Sequence, residues 1–196
     1  LTDNWFLIDN NPNPCTINRS TKQGDPLADM LFNFFMVKVL SSIRQSLSVA
    51  GFGVPYTPVA TALLGDLPPG TLSDLSYVDD GAFPHEVLDN NTVVSDIQGI
   101  TKIVARALFA HALHPNFKKG KSEAMISLRG PDSKEIRHKI FVTCNSTIDV
   151  ELYPEYSVSL HIVPTYKHLG NYITPSLKSN AHIQHRIAQG QSALAP

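Results

Sequence analysis

The residues best suited to chemistry are two adjacent carboxylates, Asp79 and Asp80, in the segment Tyr77-Val78-Asp79-Asp80. Carboxylate oxygens are the ligands that hard cations such as Mg²⁺ prefer. Neighbouring side chains on a strand point to opposite faces, but a turn lets both approach one site. An Asp-Asp-Gly sequence is also an ordinary hairpin turn. The pattern by itself therefore predicts either a cation site or a simple turn.

Three further patterns surround this pair in a fixed order along the chain. They are Gln23-Gly24-Asp25-Pro26-Leu27, Asn116-Phe117-Lys118-Lys119-Gly120-Lys121 and Tyr166-Lys167-His168-Leu169-Gly170. Asp25 suits a helix N-cap and Pro26 the first helical position. A helix starting there would direct backbone N–H groups and a positive dipole end towards a phosphate near Gln23 and Gly24. The same residues would also serve simply as a capping turn.

The four patterns together resemble the palm of reverse transcriptases, most closely those of non-LTR retrotransposons. The resemblance covers roughly residues 5–174, most of the chain. It implies an RNA-directed DNA polymerase that uses an RNA template, a DNA primer and deoxynucleotide triphosphates. It also implies two Mg²⁺ ions that activate the primer hydroxyl and stabilise the leaving pyrophosphate.

The resemblance also assigns roles to individual residues. Asp79 and Asp80 are the predicted metal ligands and catalytic acids, with Asp79 as the direct ligand. A lysine of the basic stretch is expected to act on the pyrophosphate, and Lys119 is the candidate. The residues predicted to contact substrate or template are Gln23, Gly24, Tyr77, Lys118, Lys121, Leu169 and Gly170.

One carboxylate of the family has no counterpart upstream of Gln23. Asp3 and Asp9 lie too close to that pattern, and Asp66 and Asp74 follow it. We therefore interpret residues 1–174 as a partial palm and residues 175–196 as the start of a thumb or connection helix. A site with two of three carboxylates should bind metal weakly and lose its in-line geometry. We expect no detectable polymerisation by this chain alone.

The composition excludes several classes of protein. The chain has 196 residues, of which 42% are hydrophobic and 17% charged, so it is not a disordered tail. Its net charge of −1 excludes a simple basic nucleic-acid-binding arm. Two cysteines are too few for a disulfide framework, which favours an intracellular protein of the nucleus or cytoplasm. No apolar run approaches the ~18 residues of a membrane span. The charge is uneven, because residues 115–139 hold seven basic and three acidic side chains.

The hydrophobic pattern predicts an α+β fold, an incomplete palm-like antiparallel sheet with helices packed on one face. Helices are expected at 27–50, apolar on most sides and buried between layers, at 91–114 and at 175–193. A hairpin is expected to place 78–80 at its tip. A loop or short hairpin is expected within 1–24, a loop or weak edge strand at 54–70, strands at 124–128, 140–143 and 157–163, and a tight hairpin at 166–173.

Other functions remain open at this stage. The chain could be a non-catalytic nucleic-acid-binding remnant of a retroelement, in which the basic stretch holds RNA or DNA weakly. It could also be an inert product, a group II intron maturase or an RNA-templated RNA polymerase. The histidine pairs His111/His114 and His182/His185 have zinc-like spacing but no third ligand, so surface or packing roles are expected.

Overall fold

The fold is known from a computed structural model. It describes residues 4–6, 15–17, 26–57, 69–77, 80–168 and 171–175, with 183, 187 and 191 as separate helical positions. The helices are α1 (Pro26–Val49), α2 (Val93–Ala110) and α3 (Ser133–His138). The strands are β1 (Asn4–Phe6), β2 (Cys15–Ile17), β3 (Val54–Tyr56), β4 (Gly70–Leu72), β5 (Leu75–Tyr77), β6 (Asp80–Ala82), β7 (Glu123–Ala124), β8 (Thr147–Tyr153), β9 (Tyr156–Ile162), β10 (Tyr166–His168) and β11 (Asn171–Ile173).

The predicted position of helix α1 is confirmed, and the hydrogen bonds at its C-terminus show why the helix ends near Val49. The N–H of Phe52 donates to the carbonyl of Leu47 (2.9 Å) and the N–H of Gly51 to that of Ser48 (3.1 Å). Gly51 has φ +76°, so these bonds form a Schellman cap. The second predicted helix is confirmed as α2, preceded by a 3₁₀ turn at Asn90–Thr92 and shorter than expected at its C-terminus.

The surroundings of α1 differ from the prediction. Val39, Ile43 and Leu47 are buried and pack with residues of α2. Phe34, however, is 69% exposed and Val37 62% exposed. The helix is apolar on most sides, but the described elements cover only one of them, so the expectation of burial between layers is wrong.

The main sheet has the order β7–β9–β8. β8 and β9 are antiparallel, whereas β7 pairs with β9 in parallel. Ile148, Val150 and Leu152 alternate inward along β8 and form one core with Val93 and Ala105 of α2. α2 therefore packs directly on the sheet and α1 packs on α2.

The other strands form two-stranded antiparallel pairs, β1–β2, β3–β4, β5–β6 and β10–β11. Pairing within 1–24 and within 166–173 agrees with the predicted hairpins, and β9 agrees with the predicted strand. The mixture of helices and small antiparallel sheets makes the class α+β, as predicted. The predicted C-terminal helix lies mostly outside the described residues.

Two local predictions are wrong. The predicted strand at 140–143 is a π-helical turn, Lys139–Thr143, that continues α3. Its β-branched residues favour a strand locally, but Ile140 is buried in the core from the helical side. The predicted strand at 124–128 is formed only at its start, by Glu123–Ala124. Helix α3 and strand β8 were not predicted.

Candidate metal and nucleic-acid site

The β5–β6 hairpin carries the acidic pair. Tyr77 pairs with Asp80 across the two strands, and Leu75 pairs with Ala82. Asp80 is therefore the first residue of β6, and its predicted place at the tip of the hairpin is wrong. Its side chain is half-buried. Val78, Asp79 and the side chain of Tyr77 lie outside the described residues.

An ion pair anchors this hairpin to α1. Arg44 donates through Nε to Oδ1 of Asp74 (2.5 Å) and through a terminal nitrogen to Oδ2 (3.0 Å). Ser76 Oγ also donates to Oδ2 (2.9 Å). Asp74 directly precedes β5 and is only 8% exposed. The bidentate contact fixes where the hairpin begins relative to the helix.

The charge state of this pair follows from its surroundings. Burial alone would raise the pKa of the Asp74 carboxyl, but the hydrogen bonds from Arg44 and Ser76 and the charge of Arg44 hold that pKa below its ordinary value. The hydrogen bond to Asp74 raises the pKa of Arg44. Sequence reasoning missed this pair, since Asp74 and Arg44 are 30 positions apart with no local pattern linking them.

A cleft of about 1640 Å³ lies beside the hairpin. Asp80 lines it from β6, and Tyr166 and Lys167 line it from β10. Lys121 lines it from the loop at 116–121, which we call the basic loop. Three of the four sequence patterns thus contribute to one space. Met36, Leu40 and Ile43 of α1 and several residues of α2 form its apolar side.

Tyr166 connects these patterns directly. Its hydroxyl donates to the backbone carbonyl of Lys121 (3.2 Å). Burial, and then the negative charges of Asp80 and Glu123, raise the pKa of Tyr166. Both carboxylates are therefore near enough for their charge to act on the same hydroxyl. Sequence reasoning placed Tyr166 in a pattern but gave it no role in the site.

Local hydrogen bonds, one to a backbone carbonyl and one to a side chain, hold the basic loop. The N–H of Ser122 donates to the carbonyl of Asn116 (2.8 Å), and the N–H of Gly120 donates to Oε1 of Glu123 (2.6 Å). Lys118, Lys119 and Lys121 are all exposed. Of these three, Lys121 lines the cleft and the other two do not. The structure therefore brings Lys121 together with Asp80, and leaves Lys118 and Lys119 on the surface.

The remaining predicted site residues lie outside the described part of the chain. They are Gln23, Gly24, Asp79, Leu169 and Gly170. Their roles stay predictions.

The described lining of the cleft is acidic. Six carboxylate side chains line it against three of Lys or Arg: Asp80, Glu86, Asp89, Asp96, Glu123 and Asp132, against Lys121, Arg129 and Lys167. A phosphate-bearing ligand would be repelled by this surplus unless cations accompany it. Among the described residues no three His, Cys, Asp or Glu side chains are grouped closely enough to hold a metal ion. Carboxylates nevertheless suit a hard cation, and Asp80 is the neighbour of Asp79 in the chain.

Histidines near the cleft hold the fold together. Nδ1 of His85 lies 3.1 Å from the backbone nitrogen of Gly53, and Nε2 lies 3.6 Å from Oδ2 of Asp96. His111 contacts the carbonyl of Ala107 through Nδ1 (2.8 Å) and packs against a phenylalanine. The packing role expected for this histidine agrees with these contacts, while His182 and His185 lie outside the described residues.

Comparison with protein-family models, curated proteins and solved structures found no match to this chain. None of the helices in the described segments has the length and apolar character needed to cross a membrane.

Proposed function

We propose that this chain carries part of the palm of an RNA-directed DNA polymerase of the non-LTR retrotransposon type, in which Asp79 and Asp80 serve two-metal nucleotidyl transfer in the intact enzyme. The proposal depends most on the shared cleft, which Asp80, Lys121 and Tyr166 all line. Chance matches to three unrelated patterns would have no reason to converge on one space.

Asp79 and Asp80 would hold the Mg²⁺ ions of this site. When bound, the ions polarise phosphoryl oxygens and lower the pKa of an attacking hydroxyl. The protein's part is to fix the acid pair. The Arg44–Asp74 contact anchors the start of the hairpin, and the Tyr77–Asp80 pairing fixes its register. The acidic lining supports a site that takes its phosphates together with cations.

A lysine would neutralise the charge that develops on the leaving pyrophosphate. Lys119 is the residue predicted from the resemblance, whereas Lys121 lines the cleft. In the intact enzyme, Lys119→Ala and Lys121→Ala separate the two, because loss of the acting lysine should slow nucleotide transfer more than it weakens template binding.

Binding of a labelled RNA–DNA primer–template tests the site in this chain. We expect tighter binding in Mg²⁺ than in EDTA at the same ionic strength. The double variant Asp79→Asn, Asp80→Asn should abolish that difference. Asp132→Asn is the matched control, since Asp132 is exposed and lines the same cleft away from the hairpin. Equal dependence on Mg²⁺ in the double variant would contradict the proposal.

Primer extension tests the reaction itself. We expect no detectable synthesis from the 196-residue chain. A longer product that includes the upstream carboxylate should show Mg²⁺-dependent synthesis that Asp79→Ala abolishes.

The alternative is a non-catalytic nucleic-acid-binding protein, and the exposed positions of Lys118 and Lys119 favour it. It predicts binding that falls steeply with salt and does not depend on divalent cations. Lys118→Ala with Lys119→Ala would then reduce the salt slope, whereas the acid-pair variant would not weaken binding.

A further inference from the structure

A cluster of rings lies where the end of α2 meets the β8–β9 turn. Phe109 is its centre, with ring centroids 6.2 Å from both Tyr153 and Tyr156 and 5.3 Å from His114. Tyr153 and Tyr156 are paired across the turn between the two strands. The rings come from different elements and form a single surface.

Arg106 completes this surface. Its Nε donates to the backbone carbonyl of Leu152 (2.6 Å), and its guanidinium carbon lies 5.1 Å from the centroid of the Tyr153 ring. The hydrogen bond fixes the guanidinium plane over the ring, so little side-chain freedom remains to be lost when a ligand binds.

The outer rings face solvent. Tyr153 is 40% exposed and Tyr156 48% exposed, while Phe109 beneath them is half-buried. Two large aromatic side chains held in place on a surface leave ring area available for stacking. The described core does not require them, since Leu152 and Leu160 already fill the sheet face beneath α2.

The surface meets the cleft at His114, and the basic loop follows this histidine in the chain. His114 belongs to the ring cluster and also lines the cleft. The basic loop follows it directly in the chain, with Lys118 and Lys119 exposed. Exposed aromatic rings and a guanidinium, with exposed lysines following in the chain, are the combination that holds unpaired nucleic-acid strands. A proline-rich peptide would use the rings but would not need the lysines.

We propose that Tyr153, Tyr156 and Arg106 form a stacking surface for the bases of an unpaired nucleic-acid strand. The inference goes beyond the polymerase proposal and needs neither the acid pair nor a metal. Glu155, in the turn between the two tyrosines, opposes phosphate. Binding here therefore depends on stacking more than on charge, and its salt dependence is shallower than that of the basic loop.

Anisotropy of labelled oligo(dT) and oligo(rU), measured in EDTA with the full chain, tests this proposal. Tyr153→Ala and Tyr156→Ala should each weaken binding by about 5- to 150-fold, the range for loss of one stacked base. Tyr153→Phe and Tyr156→Phe keep the rings and should bind like the unchanged chain. Tyr56→Ala is the matched control, because Tyr56 is 45% exposed on β3.

Each outcome of this test decides the matter. Loss with alanine, retention with phenylalanine and no effect of Tyr56→Ala support the surface, with the tighter of the two oligonucleotides identifying RNA or DNA. Unchanged affinity in the alanine variants, equal loss with Tyr56→Ala, or binding of a proline-rich peptide but of neither oligonucleotide would overturn it. If an alanine variant fails to fold, quenching of tyrosine fluorescence by oligonucleotide replaces it. The measurement is made in a Trp5→Phe background, which removes tryptophan fluorescence. Adding Tyr153→Leu and Tyr156→Leu to that background should reduce the quenching, and unchanged quenching would overturn the proposal.

Discussion

Arg44→Ala and Asp74→Ala break the same ion pair from opposite ends, and the structure predicts unequal costs. The side chain of Arg44 is 53% exposed, whereas that of Asp74 is 3% exposed. Removing Asp74 leaves a guanidinium that water can solvate. Removing Arg44 leaves a carboxylate that water reaches poorly.

The magnitudes follow from that difference in exposure. Asp74→Ala loses the two hydrogen bonds from Arg44 and the one from Ser76 but leaves no buried charge, so we expect a loss of about 1.5–3 kcal/mol in the free energy of unfolding. Arg44→Ala leaves a buried, uncompensated charge, which costs about 3–5 kcal/mol near neutral pH. Ser76 still donates one hydrogen bond to Asp74, which favours the lower part of that range.

The unchanged chain and Arg44→Ala should also differ in the pH dependence of their stability. In the unchanged chain the pKa of Asp74 is lowered by Arg44, so its stabilisation is present at neutral pH and is lost as pH falls below about 4. Without Arg44, burial dominates and raises the pKa of Asp74 above its unfolded value. Stability is then lost as pH rises from about 4 through the raised pKa, so the sign of the dependence reverses.

Urea denaturation followed by circular dichroism from pH 3 to pH 7 measures both effects. We expect Arg44→Ala to be the less stable variant at pH 7 and to gain on Asp74→Ala as the pH is lowered. Equal costs at pH 7, or a pH dependence of Arg44→Ala with the same sign as the unchanged chain, would refute the argument from burial.

Two further predictions concern the Tyr166 contact and the end of α1. Tyr166→Phe removes the hydrogen bond to the Lys121 carbonyl and should lower the free energy of unfolding by about 0.5–1.5 kcal/mol. Urea titration measures this loss, and an unchanged midpoint would show that the bond contributes nothing. Gly51→Ala places a methyl group in open space at φ +76° and should lower the free energy of unfolding by about 1–2 kcal/mol. Gly53→Ala, at φ +138°, also meets the Thr71 side chain and should lower it further. Thermal denaturation that ranks the two variants in the opposite order would contradict the described packing.

The parts of the fold that local chemistry determines were predictable. Asp25-Pro26 at one end and Gly51 at the other delimit α1, and the structure has the helix at Pro26–Val49. The hairpin at 166–173 was predictable in the same way, because its two strands are adjacent in the chain and Gly170 lies between them. Strand β8 was also predictable, because Ile148, Val150 and Leu152 alternate with polar residues, and this period of two is typical of a strand.

The errors arise where distant residues decide the structure. The apolar, β-branched residues at 140–143 locally favour a strand, but they form a π-helical turn that buries Ile140 in the core. The Arg44–Asp74 contact and the approach of Tyr166 to Lys121 join residues 30 and 45 positions apart. No spacing rule in one sequence predicts such contacts, so the cleft had to come from the structure, while its acidic pair was visible in the sequence.

Titration of the chain with Mn²⁺, followed by the loss of the free-ion electron paramagnetic resonance signal, tests the central claim most directly. Mn²⁺ shares the oxygen-ligand preference of Mg²⁺ and reports binding without any nucleotide chemistry. We predict saturable binding that the Asp79→Asn, Asp80→Asn variant loses and the Asp132→Asn variant keeps. Binding that is the same in all three chains would contradict the assignment of the acid pair as the metal site.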